Sequence, residues 1–140
     1  MARELSRRAG RLASMSCDAP PDFALRTALI CEDDWLIGFS YAEALREGGV
    51  NARGPFATAE AALAAFEAEP AAVAVIDLQL ADGRSGPATA RALQERGVDI
   101  IFCSGAAAMP KELADIRHVF LHKPVPPDVL YACVVAALRR

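Results

Sequence analysis

At 140 residues the chain holds one hydrophobic core's worth of protein, since a single core suits roughly 100–150 residues and a second would need as many again. Hydrophobic residues at 54%, charged at 24% and aromatic at 6% place it among globular proteins and exclude disordered and fibrous classes. A net charge of −3 with no clustered basic face argues against direct nucleic-acid binding, which rests on neutralising phosphates.

Residues 1–26 differ from the rest. They carry Arg3, Arg7, Arg8 and Arg11, many small residues and the Pro20-Pro21 pair. This reads as an N-terminal extension, expected to be disordered; the sharper alternative is a short amphipathic helix with Leu5 and Leu12 on one face, docking on the domain or a partner. A secretory signal would need an apolar stretch of about 7–15 residues after the basic region, and none follows, so a cytoplasmic protein is expected. The longest apolar run, Val129 to Leu138, is about half of the ~20 residues a membrane span requires, so no membrane insertion is expected. Cys17, Cys31, Cys103 and Cys133 form no C-x-x-C pair, and their reading is that of small hydrophobes rather than a disulfide framework.

From Thr27 to Arg140 strand-like and helix-like patterns alternate, the mark of βα units winding a parallel sheet. ALIC, AVAVID, DIIFCS and HVFLHK are short, nearly continuous apolar runs, as parallel strands covered on both faces require. The second strand is predicted at Val50 to Arg53, after a first helix from about Asp34 to Glu47 that stops at Gly48-Gly49. Helical spacing marks a second helix through Ala59, Ala62, Leu63 and Phe66, and a last one through Leu130, Cys133, Val134, Ala137 and Leu138. A third is predicted from about Ser85 to Arg96, where Arg91 and Arg96 read as solvated charges. Between Gly105 and Arg117 there is room for only about two turns after Pro110, so the fourth helix is expected to be short or irregular.

Chemistry concentrates at the strand ends. Glu32, Asp33 and Asp34 follow the first strand and Asp77 the third. In an open sheet of order 2-1-3-4-5 those strands are neighbours at the switch point, where ligands bind beyond the carboxyl ends. Carboxylates crowded there repel one another unless a hard cation joins them, which predicts a Mg²⁺-class site with oxygen ligands. Asp34 is also well placed as a helix N-cap. Ser104 and Lys123, ending the fourth and fifth strands, bring a hydroxyl and an ammonium to the same rim. A carboxylate nucleophile, a metal, a hydroxyl and a fixed cation are the groups needed to accept a phosphoryl group and stabilise its oxygens.

These residues resemble the receiver domains of two-component response regulators, over 27–140. The family's acidic pair looks like Glu32-Asp33 in ICEDD, its phosphoacceptor like Asp77 in VIDLQLADG, its switch hydroxyl like Ser104 in IIFCSG and its lysine like Lys123 in HKP. The resemblance implies a flavodoxin-like, doubly wound five-stranded parallel α/β sheet. It implies Mg²⁺ held by Asp33, Asp77 and the backbone carbonyl of Gln79, with Glu32 holding metal-bound water. Lys123 would pair with phosphoryl oxygens, Pro124 would follow a cis peptide, and Phe120 would be the aromatic switch that turns inward with Ser104; a plain core aromatic is its other reading. Gln79 and Ala106 resemble rate-tuning positions. The short stretch from Ser104 to Lys123 resembles a subgroup of single-domain regulators with a mobile fourth-helix region.

The implied function is a single-domain response regulator of a phosphorelay, phosphorylated by a histidine kinase or histidine phosphotransfer protein and acting on an unknown downstream protein. It would be a monomer or weak dimer and a switch rather than an enzyme, with self-phosphorylation from a phosphodonor and slow autodephosphorylation only. The chain ends with the last helix, so output by protein contact is expected. A phosphorylation-independent pseudo-receiver scaffold is the alternative. An aspartyl-phosphate hydrolase would want a carboxylate where Gln79 stands, and a nucleotide site would want glycine-rich motifs that are lacking. Trp35 reads either as packing at the helix start or as a partner-facing hot spot. His118 and His122 have no metal-ligand company and are expected at the surface or sheet edge.

Overall fold

The computed structural model describes residues 26–139. The sequence expectations for the N-terminal extension, with Leu5, Leu12 and Cys17, lie outside them. In chain order the elements are β1 (Thr27–Cys31), α1 (Trp35–Glu47), β2 (Asn51–Phe56), α2 (Ala59–Ala68), β3 (Val73–Ile76), α3 (Gly86–Gln94), β4 (Asp99–Ser104), β5 (His118–His122) and α4 (Pro127–Leu138). The five strands form one sheet in the order β2-β1-β3-β4-β5, every pairing parallel.

Alternation along the strands feeds two cores. Leu29, Ile76 and Phe102 face Ala62 and Phe66 of α2 and Ala90 and Leu93 of α3. Ala28, Ile30, Val75 and Ile101 face Tyr41, Ala42 and Leu45 of α1 and Leu130, Val134 and Ala137 of α4. Because both faces are covered, β1 and β3 are buried at every residue, which is why they read as unbroken apolar runs. Among the described residues no helix is long and apolar enough to cross a membrane.

Helix starts follow capping chemistry. Asp34 accepts hydrogen bonds from the backbone N–H groups of Leu36 and Ile37, and the Thr58 hydroxyl accepts one from Ala61. Proline opens α3 and α4 within the first two helical positions, where its missing N–H leaves no bond unmade. The second strand runs three residues past the predicted Arg53. A register irregularity opposite Leu29 and Cys31 takes up the Gly54-Pro55 pair, joined by a cis peptide, and the strand then re-pairs at Cys31 with Phe56.

Between β4 and β5 the expected short helix shrinks to a single 3-10 turn, Lys111–Leu113. Tertiary contacts hold the segment instead. Leu113 and Ile116 are buried in the core under α3. Arg91 reaches from α3 to the Asp115 carboxylate and the Glu112 carbonyl, Arg84 forks onto the Glu112 carboxylate, and Gln94 donates to the Arg117 carbonyl. Arg91 is therefore a cross-element clamp rather than a solvated charge. So is Arg96, which pairs with Glu67 of α2 and lies 5.0 Å over the Phe66 ring. Both have stems long enough to cross to the next element, a reach no single-helix pattern displays.

Because this segment depends on its anchors, Leu113→Ala should cost about 2–5 kcal/mol, as a fully buried leucine does. Met109→Ala, at an exposed position of the same segment, should change stability by no more than about 0.5 kcal/mol. Urea denaturation of both variants checks this; equal effects would mean that Leu113 is not the anchor.

Candidate functional site

Register brings the acids together. Cys31 pairs with Ile76, so Glu32 and Asp77, the next residues on adjacent strands, emerge side by side at the carboxyl end of the sheet. The Asp77 N–H donates to the Cys31 carbonyl at 3.0 Å, and the Glu32 N–H to the Phe56 carbonyl at 2.9 Å. One strand further along, Ser104 pairs with His122, and the Lys123 N–H donates to the Ser104 carbonyl at 2.8 Å. A cis peptide links Lys123 to Pro124.

The Lys123 ammonium lies between two carboxylates, 2.6 Å from Glu32 Oε1 and 2.7 Å from Asp77 Oδ2. Glu32 is buried, and its other oxygen accepts the Asp34 N–H at 3.0 Å. The second Asp77 oxygen accepts the Gln79 N–H at 3.2 Å, while Gln79 itself sits on the exposed loop after β3. Asp33 is exposed, and ligand atoms of Glu32, Asp33 and Asp77 all fall within 4.8 Å of one another.

Burial pushes the Glu32 carboxyl above its ordinary value, against the pull of the Lys123 ammonium and the Asp34 N–H. Burial alone would lower Lys123, but its hydrogen bonds to Asp77 and Glu32 outweigh that and hold it above the ordinary lysine value, firmly charged. Ionised, the three carboxylates carry two more negative charges than the one ammonium offsets. Hard oxygen donors with an excess of negative charge suit a divalent cation of the Mg²⁺ type.

Around this cluster the backbone is packed too closely for larger residues. A Cβ on Gly86 would lie 2.2 Å from the Asp77 carbonyl oxygen and 2.6 Å from the Leu78 Cα, so only glycine lets the start of α3 sit against the acidic loop. Gly38 of α1 makes the same close approach to Pro55, where a Cβ would come within 2.4 Å. Asp82 ties the loop to α2, accepting the Ala59 N–H at 3.0 Å and the Ser85 hydroxyl at 2.6 Å. The Ser85 hydrogen bond holds its carboxyl below the usual carboxylate range.

No protein-family model matches the sequence, and no curated protein does. Solved structures do match. The chain is 25% identical to a CheY-like response regulator receiver domain from Methylobacillus flagellatus, covering 79% of this chain and 97% of that one at a TM-score of 0.69. It is 25% identical to a CheY-like response regulator receiver domain protein from Methanospirillum hungatei JF-1, covering 81% and 93% at a TM-score of 0.71. It is 28% identical to SdrG from Sphingomonas melonis Fr1, covering 84% and 98% at a TM-score of 0.67. The chain has the fold of a response-regulator receiver domain.

In this receiver-domain fold, Glu32, Asp33, Asp77 and Lys123 converge at one end of the sheet. Ser104 is buried at the tip of β4, its hydroxyl accepting the Ala106 N–H at 3.1 Å. Phe120 is half-buried on β5, packed on the core under α2 and α3 and edge-on to the His122 ring. Both histidines lie on the edge strand, where His118 donates to the Ile116 carbonyl and His122 to that of Ala106. Trp35 does not pack into the helix start: it is 64% exposed and stacks on Phe39 one turn on, beside the 70% exposed Leu36.

Sequence reading missed Asp82, Gly86 and the Gly38 approach to Pro55. The signals were small: an Asp-Gly pair followed by Ser-Gly-Pro, and a Gly-Pro pair inside an apparent strand end. Gly86→Ala should destabilise the domain by about 1–3 kcal/mol, as overpacking does, and shift the amide resonances of residues 77–79 more than those of β5. Two-dimensional NMR with urea melts checks it, and an unshifted acidic loop would show that α3 does not brace Asp77.

Proposed function

We propose that this receiver domain is a phosphorylatable signalling switch whose acceptor is Asp77. The observation that carries the reading is the Lys123 ammonium, 2.7 Å from Asp77 within a cluster of three carboxylates at the carboxyl end of a parallel sheet. The donor in this reading is a phosphohistidine on a histidine kinase or a histidine phosphotransfer protein. An Asp77 carboxylate oxygen forms the new P–O bond as the P–N bond of the phosphohistidine breaks, and the departing imidazole nitrogen keeps the electron pair. Asp33, Asp77 and the Gln79 backbone carbonyl would hold Mg²⁺, with Glu32 holding metal-bound water, and the ion when bound supplies positive charge against the phosphoryl oxygens.

Lys123 then exchanges its Asp77 hydrogen bond for one to a phosphoryl oxygen and keeps its contact with Glu32. Phosphorylation adds about −1.5 to −2 charges. The Ser104 hydroxyl leaves the Ala106 N–H to donate to the new oxygens, and Phe120, beside His122, takes up the space this frees. The switched surface is β5 with the segment before it, and output is contact with a downstream protein. The domain works in the cytoplasm as a monomer or weak dimer, with self-phosphorylation and slow autodephosphorylation as its only chemistry.

The Trp35, Leu36 and Phe39 side chains support the partner assignment. Three large apolar groups stand exposed at the start of α1, directly after the acidic pair, where a donor protein must sit to present its phosphohistidine to Asp77. Tryptophan is the residue type most often dominant in such contacts.

Incubation with acetyl phosphate and Mg²⁺ should add one phosphoryl group by intact mass, and the adduct should vanish with Asp77→Asn or a chelator. A folded protein without an adduct, whose melting temperature also ignores Mg²⁺, would instead be a phosphorylation-independent scaffold.

Trp35→Ala should slow phosphotransfer from a phosphorylated donor protein by about tenfold or more, the effect of losing a hot-spot contact of about 1.4 kcal/mol. Its rate with acetyl phosphate should stay unchanged. Equal slowing with both donors would place the defect in the pocket rather than at a docking surface.

A further inference from the structure

At the end of the sheet opposite the carboxylates, an open groove of about 400 Å³ runs between the foot of α1 and the last turns of α4. Val50, Tyr131, Val135 and Leu138 give it an apolar lining, and Arg26 and Arg139 add positive charge. Val50 is buried, while Tyr131, Val135 and Leu138 are only partly covered although they pack on the core under α1 and α4. Among the described residues neither Arg26 nor Arg139 has a carboxylate partner, and no acidic residue lines the groove. The Tyr131 hydroxyl donates to the Gly48 carbonyl, and a Cβ on Gly48 would collide with the Tyr131 ring, so this wall is fixed.

We infer that the groove is the seat of the chain's own preceding segment, residues 20–25, with Phe23 as the apolar anchor. The described chain begins at Arg26, itself part of the lining, so the stretch Pro20-Pro21-Asp22-Phe23-Ala24-Leu25 emerges at the groove. Three residues of extended chain span at most about 10–11 Å, which lets Phe23 reach the wall of α4 from Arg26. Phe23 and Leu25 supply large apolar groups to set against this apolar lining, and a phenylalanine buries on the order of 150–250 Å². Asp22 brings the one negative charge of the stretch to a groove with two arginines. A tether this short makes the effective concentration high, so one weak contact suffices where a separate partner would need many. The segment braces α1 against α4 at the end of the molecule away from Asp77 and leaves the acidic pocket free.

The test is methyl NMR on the full chain. Phe23 ring protons should give NOE cross-peaks to the methyls of Val135 and Leu138. Phe23→Ala should abolish them and shift those methyls while leaving the core methyls of Leu29 and Ile30 in place, which also shows that the variant folds. Arg139→Glu should shift the same methyls part of the way. Absence of these cross-peaks, with methyls indifferent to Phe23→Ala, would overturn the inference. Cross-peaks or shifts that grow with protein concentration would overturn it in favour of a second copy as the occupant.

Discussion

One ammonium shared by two carboxylates at the end of a parallel sheet is the interaction around which the rest is arranged. Glu32 is buried, and an ionised carboxylate taken from water costs several kcal/mol unless a cation and hydrogen bonds replace the lost solvent. Lys123 and the Asp34 N–H are those replacements. Lys123 reaches Glu32 and Asp77 from the far side of the sheet because β5 ends level with β4, its backbone bonded to Ser104 at the last rung. The register of four strands thus sets the geometry of the cluster. A one-residue slip in any of them would turn an acid or the lysine away from the pocket.

Close backbone approach protects that register. Gly86 lets the first turn of α3 rest on the Asp77 peptide, and Gly38 lets α1 meet Pro55 within the edge strand β2. Asp82 fastens the intervening loop to the start of α2 through a backbone and a hydroxyl donor. The acidic loop is therefore held from two helices, with its own Leu78 and Leu80 buried in the core. What remains free to respond is the negative charge itself, and a site with more carboxylates than cations is poised for a bound cation or an added group that rearranges Lys123.

Most of this architecture was legible in the sequence, for a definite reason. Strands buried on both faces must be apolar throughout, so VAVI and DIIFC announced themselves, and polar groups just past their ends had to lie at the carboxyl edge. The same logic placed Glu32, Asp77, Ser104 and Lys123 at one rim without any knowledge of distances. Features that depend on contacts between distant residues left almost no local trace. Gly86 looks like any glycine before a proline, Arg91 like any exposed helix charge, and the end of β2 like a turn, because Gly54-Pro55 is a turn signal unless a neighbouring strand re-pairs beyond it. Trp35 was ambiguous because the sequence does not show whether another element covers the first turn of α1.

The segment between β4 and β5 shows what replaces a helix when the sequence cannot form one. A regular helix satisfies its own backbone and can move as a body. Here Gly105, three alanines, an exposed methionine and Pro110 leave one 3-10 turn, so the position of the segment is set by side chains from elsewhere: Arg84 and Arg91 on one flank, His118 and His122 on the other, and Leu113 below. Its first anchor is the Ser104 hydroxyl, which accepts the Ala106 N–H, and its second is His122, which binds the Ala106 carbonyl. Ala106 is thereby held by the two strand-end residues that pair with each other across β4 and β5. On the proposed reading, drawing the Ser104 hydroxyl toward Asp77 releases one of these two anchors while the arginine clamps hold the distal half. The response is then a local loosening at Gly105–Ala108 beside Phe120, not the displacement of a helix, and a downstream protein would read the surface around His122 rather than a helical face.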